Sequence, residues 1–421
     1  LSPENAPVNN SAGTTTGAWS FADFYSYVCR MIGQNGRRGA LMVTMDVRHP
    51  DIQQFVAMKH DLTKVTGANV SVKISNDFMK AVENKEKFTL RFPVDSDNPS
   101  NTKEIEATEL WDLIVESATK TAEPGLMMWD NIVDNLPAES YADVGFKTIP
   151  TNPCGEIPLS AYDSCRLVSI NLKNLVKNPF KNPEFDFEKL HDVATKAMRL
   201  SDDLVELEVE KLENIIKASD TRDEKELWES LLKACKDGRR TGLGTHGLAD
   251  AIACMNLRYD SKEAVEVISK IYETLRNAAY MESVSLAMER GSFEVFDWEK
   301  EKDNEYIKRL PKNIREAIEK HGRRNISILT NAPTGSVSIM SQTSSGLEPV
   351  FRNSYKRRRK LSHNEKGVTP DYVDELGDKW LEYNVFHHNV QEWCDLQEGW
   401  SDELELPDIF VESNQINWQK R

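Results

Sequence analysis

Cysteine is sparse in this 421-residue chain: six thiols, too few and too scattered for a disulfide-stapled scaffold. Unpaired thiols of this kind belong to a reducing compartment, so a cytoplasmic location is expected. A cysteine singled out by its neighbours is then a candidate for chemistry. Long apolar runs are missing too; without about 18 consecutive apolar residues, no spanning helix is expected. The first residues carry no secretory pattern. Positive charge is in deficit, 53 Lys+Arg against 68 Asp+Glu, for a formal net charge of −15. Such a chain is a poor partner for nucleic acid or an anionic membrane, and neither is expected to bind it. No cluster of histidines accompanies the cysteines, so no metal site is expected. There is no internal repeat and no low-complexity segment. The chain opens on "LSPENAPVNN" and closes on "NQINWQKR", which reads as a fragment or a trimmed chain.

What is present suits a water-soluble globular protein, with 39% hydrophobic and 29% charged residues. Residues 1–16 read as a loop. Phe21, Phe24, Tyr25, Val28, Met31 and Ile32 follow at helical spacing, up to Asn35-Gly36. "GALMVTMDV" (39–47), "NVSVKI" (69–74), "GLMMWDNI" (125–132) and "LVSINL" (167–172) read as strands, with a helix after the first from "HPDIQQFVAMK". Residues 104–122, 186–218, 222–238 and 261–290 read as helices. "RTGLGTHGLADAIACM" and "NISILTNAPTGSVSIMSQ" read as strand, tight loop and a further element. From 356 the pattern weakens, and 371–408 reads as short helices and acidic loops. Strands alternating with helices indicate an α/β fold with mainly parallel strands.

Several constellations could carry chemistry. In "TNPCGEIPLSAYDSCRL" (151–167), Asn152, Cys154 and Glu156 sit at i, i+2 and i+4 and project to one side of an extended or looped segment. An amide, a thiol and a carboxylate could then meet neighbouring groups of one small substrate, with the carboxylate as general base. Asn-Pro and Cys-Gly are also turn punctuation, so a plain turn is the other reading. Cys165 is a second redox thiol or a small buried residue. Cys29, Cys235, Cys254 and Cys394 fall in helical patterns and read as filler. "NAPTGSVS" (331–338) could present backbone N–H groups to a phosphate, or be an ordinary strand-to-helix turn; it lacks the lysine of a Walker loop. "GLGTHGLAD" (242–250) is a formal G-x-G-x-x-G, which would suit a flavin- or NAD-linked dehydrogenase, but no acidic residue ends a clear following strand. His246 within it reads as a structural histidine. "YKRRRK" (355–360) reads as a solvated loop or a contact to an acidic protein surface.

Taken together, "NPCGEIPLSAYDSCRLVSINL" and, far downstream, "APTGSVSIMSQTSSGLEPVF" resemble the catalytic subunit of ribonucleotide reductase. "GRRGALMVTMDVRHPDI", "LTKVTGANVSVKISNDFM" and "GRRTGLGTHGLADAI" look like further blocks of that family, so the resemblance covers essentially the whole chain. It implies a ten-stranded α/β barrel of the ribonucleotide reductase and glycyl-radical type, made of two five-stranded halves, with a finger loop carrying a thiyl-radical cysteine. By that resemblance the radical cysteine is Cys154. Asn152 and Glu156 are substrate-hydroxyl ligands, with Glu156 as base, and Cys165 is the downstream member of the reducing dithiol. Thr334, Gly335, Ser336 and Val337 form the substrate phosphate loop. Lys64, Val65, Thr66, Gly67 and Asn69 lie in the loop that links a specificity nucleotide (a dNTP or ATP) to the substrate base. Residues 7–19 resemble the neighbouring effector loop, and the helix after it would sit at a homodimer interface.

The eleven-residue spacing of Cys154 and Cys165 looks like the adenosylcobalamin-dependent class, as do "YKRRRK" and "EYNVFHHNVQEW". The implied reaction is reduction of ribonucleotides, taken as diphosphates, with a thioredoxin- or glutaredoxin-type reductant. The alternatives are the large subunit of an oxygen-dependent enzyme with a separate radical-generating subunit, and a non-catalytic nucleotide-binding fragment. On this resemblance residues 1–38 hold the effector loop and interface helix. Residues 39–355 hold the central barrel, with its finger loop around 151–166, and 356–421 a peripheral insertion. The first and last barrel parts, and the upstream cysteine that Cys165 needs, are expected on a complementing chain or segment.

Overall fold

The computed structural model describes residues 1–34, 37–164, 166–362, 365, 367–397 and 405–417. The chain divides into two compact units. The first comprises Leu1–Cys165, Val209–Arg239 and Phe293–Arg315, and the second Arg166–Glu208, Arg240–Ser292 and Glu316–Arg421.

The first unit is built on a parallel sheet of three strands, β1 (Met42–Asp46), β2 (Asn69–Ile74) and β5 (Gly125–Met128), with β2 in the middle. Alternation along β2 decides what each face does. Val70, Val72 and Ile74 are buried in a core with Ile52, Phe55 and Phe78, while Asn69, Ser71 and Lys73 occupy the opposite face. Burying each such apolar side chain contributes roughly 1.5–3 kcal/mol. Helices α1 (Ala18–Met31), α2 (Ile52–Ala57), α3 (Asn76–Asn84), α4 (Ala107–Thr121) and α5 (Trp129–Asn135) accompany the sheet, and β3 (Lys87–Phe92) pairs antiparallel with β4 (Asn101–Glu106). Gly125 pairs with Ser71, where an added Cβ would stand 2.7 Å from the serine hydroxyl.

The second unit holds β6 (Leu167–Asn171) parallel to β7 (Gly242–His246), and helices α6 (Leu248–Cys254) and α7 (Lys262–Arg290). Every residue of β7 is buried. The segment read as a strand at 325–330 runs beside β7. Thr241 N donates to Ser327 O (2.9 Å), Leu243 N to Ile328 O (2.9 Å) and Thr330 N to Leu243 O (3.0 Å). Asp202 is fully buried, paired with Arg290 and Arg324 and accepting from Asn325 Nδ2 at 3.0 Å.

The parallel strands form one three-stranded and one two-stranded sheet, in keeping with an α/β fold, with no closed barrel among the described residues. Other expectations are corrected. The strand expected over 125–132 stops at Met128, and Trp129 starts α5. The helix expected from 104 starts at Ala107, because 101–106 is strand β4. The region 371–408, read as short helices and acidic loops, contributes β9 (Tyr372–Val373) and β10 (Lys379–Phe386) before the helix His388–Asp395. "YKRRRK" is not a loop: it lies in β8 (Ser354–Lys360), which pairs with β10. There Lys356 and Arg358 meet Glu382, and Lys360 meets Asp378, so its acidic counterpart lies in its own sheet. Along α1, Ala18, Ala22 and Ser26 are buried, whereas Phe21, Phe24, Tyr25 and Met31 are exposed. Among the described residues no helix is long and apolar enough to cross a membrane.

Candidate functional site

In the first unit the residues from Ile149 to Leu159 fold into a hairpin. Ile149 N donates to Leu159 O (2.9 Å), Leu159 N to Pro150 O (2.9 Å) and Asn152 N to Ile157 O (3.1 Å), with a bridge between Thr151 and Pro158. Pro153, Cys154, Gly155 and Glu156 form its tip. The turn closes through Gly155, at φ +85°, whose N–H donates to Asn152 O at 3.0 Å. The amide of Asn152 is fixed at both ends: Nδ2 donates to Glu156 Oε2 at 2.6 Å, and Oδ1 accepts from Ile157 N at 3.0 Å. The turn reading of this stretch is thus realised. Asn152 and Glu156 are drawn together around the cysteine between them.

Cys154 is the exposed member of the five cysteines among the described residues; Cys29 is half-buried and Cys235, Cys254 and Cys394 are buried, all four on helices. Partial burial of its sulfur, and then the Glu156 carboxylate, push the Cys154 thiol up from its ordinary value of 9.0. The group is therefore held as S–H at neutral pH. That disfavours a thiolate nucleophile and suits a donor of a hydrogen atom. Cys165 lies outside the described residues.

The loop from Lys64 to Asn69 is tied to α1 on one side and to the hairpin on the other. Val65, at φ +47°, donates its N–H to Asp23 Oδ1 (2.9 Å), and Gly67 donates to Ser26 Oγ (2.8 Å). Lys64 stands over the Trp19 ring, 5.2 Å from its centroid. An added Cβ on Gly67 would come within 2.5 Å of Ser26 O, which explains the glycine. Asn69 reaches across to the hairpin, where its Nδ2 donates to Pro153 O at 2.6 Å. A cavity of about 510 Å³ is lined by Arg30, Lys59, Thr66, Gly67, Asn69 and Pro153 among others.

In the second unit, Thr334 adopts the left-handed conformation (φ +49°) just before the short helix Gly335–Ser341. Its hydroxyl accepts from Gly346 N at 2.8 Å, which ties the loop to the turn at Ser344–Gly346. Gly335, Ser336 and Val337 are exposed, and nothing lies within 4 Å of where a Cβ on Gly335 would be. Gly335 and Ser338 line a cavity of about 880 Å³ together with Tyr355 and His387. Two supports were not singled out in the sequence. Asp250 is buried; it meets His387 Nε2 at 2.7 Å and accepts from Ser344 N at 2.9 Å. Lys73, on the Asn69 face of β2, donates to Ile149 O at the base of the Cys154 hairpin. Asp250 sits in "GLAD", but nothing in its spacing announces a partner 137 residues later.

The formal G-x-G-x-x-G does not form a phosphate loop. Gly242 and Gly244 lie inside strand β7, and a Cβ on Gly244 would stand 2.0 Å from Thr330 O. These glycines admit a neighbouring backbone. His246 is buried with Nδ1 against Ser169 Oγ at 2.8 Å; among the described residues its Nε2 has no partner. Burial lowers its pKa from 6.5.

A family model described as "Ribonucleotide reductase, barrel domain" matches residues 1–420. A vitamin B12-dependent ribonucleoside-diphosphate reductase of Thermoplasma acidophilum is 31% identical, over 100% of this chain and 49% of its own length. A protein of the same description from Mycobacterium tuberculosis is 31% identical over 85% of this chain and 46% of its own length. A ribonucleoside-diphosphate reductase large subunit of Plasmodium falciparum is 25% identical over 90% of this chain. The chain spans about half the length of these curated relatives.

Proposed function

This chain belongs to the ribonucleotide reductase family, and from that premise we propose that it carries the radical-cysteine hairpin and the phosphate loop of an enzyme reducing ribonucleoside diphosphates to 2′-deoxyribonucleotides. One observation carries the reading: Asn152 and Glu156 are hydrogen-bonded to each other around an exposed Cys154. As a thiyl, Cys154 takes the 3′ hydrogen atom of the ribose. Glu156 accepts the 3′-OH proton. The Asn152 amide has a second N–H beyond the one given to Glu156, and it can hold an adjacent hydroxyl. The 2′-OH then leaves as water, protonated from a dithiol whose downstream member is Cys165. That dithiol gives two electrons and becomes a disulfide, and the hydrogen atom returns to C3′.

Adenosylcobalamin suits this donor set, because a protonated, exposed thiol has a hydrogen atom to surrender; when bound, the cofactor supplies the radical that initiates the chemistry. On the same reading Thr334, Gly335, Ser336 and Val337 hold the substrate phosphates. Residues 39–355 supply the central part of a ten-stranded barrel, with 1–38 as the effector-loop and interface-helix region and 356–421 as a peripheral insertion. Lys64, Val65, Thr66, Gly67 and Asn69 relay a nucleotide effector to the base, in keeping with the loop's ties to α1 and to Pro153. The exposed Phe21, Phe24, Tyr25 and Met31 of α1 form a homodimer contact. A thioredoxin- or glutaredoxin-type protein regenerates the dithiol.

The test uses the full-length protein with a ribonucleoside diphosphate, a dithiol and adenosylcobalamin, assayed for deoxynucleotide. Product that depends on the cobalamin is expected. Product only after a metal-loaded partner subunit is added would move the chain to the oxygen-dependent class. No product under either condition would favour a nucleotide-binding role without catalysis.

A further inference from the structure

We propose that Lys73 is a positioning residue for Cys154, clamping the arm that leads to it lengthwise along strand β2. Two side chains from one face of β2 reach the hairpin. Asn69, at the start of the strand, donates to Pro153 O at 2.6 Å, and Lys73, four residues later, donates to Ile149 O. The order is reversed between the two segments: the first strand residue meets the last arm residue. The arm 149–153 therefore runs antiparallel to β2 over its polar face. Each segment spans four residues between its contacts, about 13 Å at the rise of extended chain, so the two are matched in length.

The clamp uses the carbonyls that the hairpin leaves over. Within the hairpin the main-chain bonds run from Ile149 N, Asn152 N, Gly155 N and Leu159 N to Leu159 O, Ile157 O, Asn152 O and Pro150 O. Among the described residues no backbone N–H reaches Ile149 O or Pro153 O. Lys73 is itself held in place. Its ammonium lies 3.9 Å from the centroid of the Trp129 ring, at the start of the helix that follows β5. That is the geometry of a cation–π contact, and the bond to Ile149 O is charge-assisted. Burial lowers the pKa of Lys73, with Asp46 and Asp95 opposing it. With both ends pinned, the tip bearing Cys154 cannot slide along the sheet or lift from it. A radical transfer that depends on sub-ångström approach needs such a constraint.

The proposal rests on the radical reading of Cys154 only in its kinetic arm. The full-length protein is compared with its Lys73→Met and Lys73→Arg variants. Methionine keeps an apolar stem against Trp129 and removes the donor, while arginine keeps charge and donor. Hydrogen exchange of the amides in 149–159 is followed by mass spectrometry, together with iodoacetamide labelling of Cys154 and the thermal midpoint. For Lys73→Met, exchange in the hairpin and labelling of Cys154 should each rise about tenfold. Exchange in β1, β2 and β5 and the midpoint should stay unchanged, and Lys73→Arg should return both rates to within about twofold of the parent. In turnover, kcat should fall with KM unchanged. Unchanged hairpin exchange in Lys73→Met would overturn the proposal. Equal loosening of hairpin and sheet would also overturn it, since that is loss of core. Exchange and labelling need no turnover, so a loosened hairpin in a protein that reduces no nucleotide would retain the clamp and discard only the reductase reading.

Discussion

The side-chain amide of Asn69 donates to the main-chain carbonyl of Pro153 at 2.6 Å, one residue before Cys154. Asn69 also ends the loop whose Val65 and Gly67 are tied to Asp23 and Ser26 of α1. A single side chain thus joins a helix-anchored loop to the cysteine turn. Asn69→Ala removes that bond and leaves an exposed carbonyl to water, so it should cost no more than about 1 kcal/mol of stability. Labelling of Cys154 by iodoacetamide should nevertheless quicken severalfold. Stability falling by several kcal/mol with labelling unchanged would make Asn69 a packing residue and nothing more.

Cys154 itself offers a pH test. Burial first, and the Glu156 carboxylate second, hold its pKa above 9.0 in the folded protein. Its alkylation rate should stay low through neutral pH and rise only above pH 9. Glu156→Gln removes the smaller cause and leaves the larger, so the inflection should move down yet remain above that of an ordinary thiol. An inflection below pH 8 in the parent would mean a thiolate-stabilising site and would count against hydrogen-atom donation.

Much of this was legible in the residues, for reasons that differ by element. Strand β2 announces itself because Val70, Val72 and Ile74 alternate with polar residues, and alternation maps directly onto two faces. The helices 187–218 and 222–238 were equally clear from their period. The packing face of α1 was not: apolar residues at helical spacing mark a helix, but the close contact is made by Ala18, Ala22 and Ser26. Strand β8 was missed because charge, not apolar alternation, fills it. At the site, Asn152, Cys154 and Glu156 could be read because the turn brings i, i+2 and i+4 together locally. Lys73 and Asp250 could not, since their partners lie 76 and 137 residues away and only tertiary structure unites them.

Two buried histidines set a pH limit on stability. His49 accepts from Asp51 N at Nδ1 (3.1 Å), and its Nε2 lies 2.9 Å from Leu1 O, an arrangement that needs the neutral ring with its proton on Nε2. Burial is the main cause lowering the pKa of His49, and the sole cause for His246, in both cases from 6.5. Below pH 6.5 the unfolded chain binds protons that the folded chain refuses. Stability should therefore be complete above that pH and decline as pH falls from 6.5 toward the depressed folded values. Urea midpoints between pH 8 and 5 should trace this decline, and His49→Gln should make it shallower. A parent curve flat over this range would show that neither ring is held neutral.

Asp202 anchors the second unit through charge. It is fully buried, and Arg290, Arg324 and Asn325 all converge on its carboxylate. Asp202→Ala would leave the two guanidinium groups without the anion between them, a loss of about 3–5 kcal/mol for breaking a buried pair from one side. Arg324 retains Glu206 and the carbonyls of Arg290 and Gly291, which points to the lower end of that range. Denaturant titration checks the figure; a change under about 1 kcal/mol would mean that water replaces the carboxylate.

Gly244 separates a packing explanation of the glycine-rich stretch from a ligand-binding one. A methyl group there would stand 2.0 Å from Thr330 O, and the adjacent Leu243 makes both main-chain bonds that hold 328–330 beside β7, donating to Ile328 O and accepting from Thr330 N. The neighbour is backbone, so no rotamer change can make room. Gly244→Ala must push the 328–330 segment away, with a destabilisation of about 1–3 kcal/mol or more. That segment leads into Thr334, so its displacement should also weaken binding of a nucleoside diphosphate. Gly335→Ala makes the opposite comparison, since nothing stands within 4 Å of its Cβ position. It should leave stability almost unchanged while lowering nucleotide affinity, if the Thr334–Val337 loop receives the phosphates. Equal stability losses in the two variants, or an unchanged affinity in Gly335→Ala, would remove the loop from the binding site.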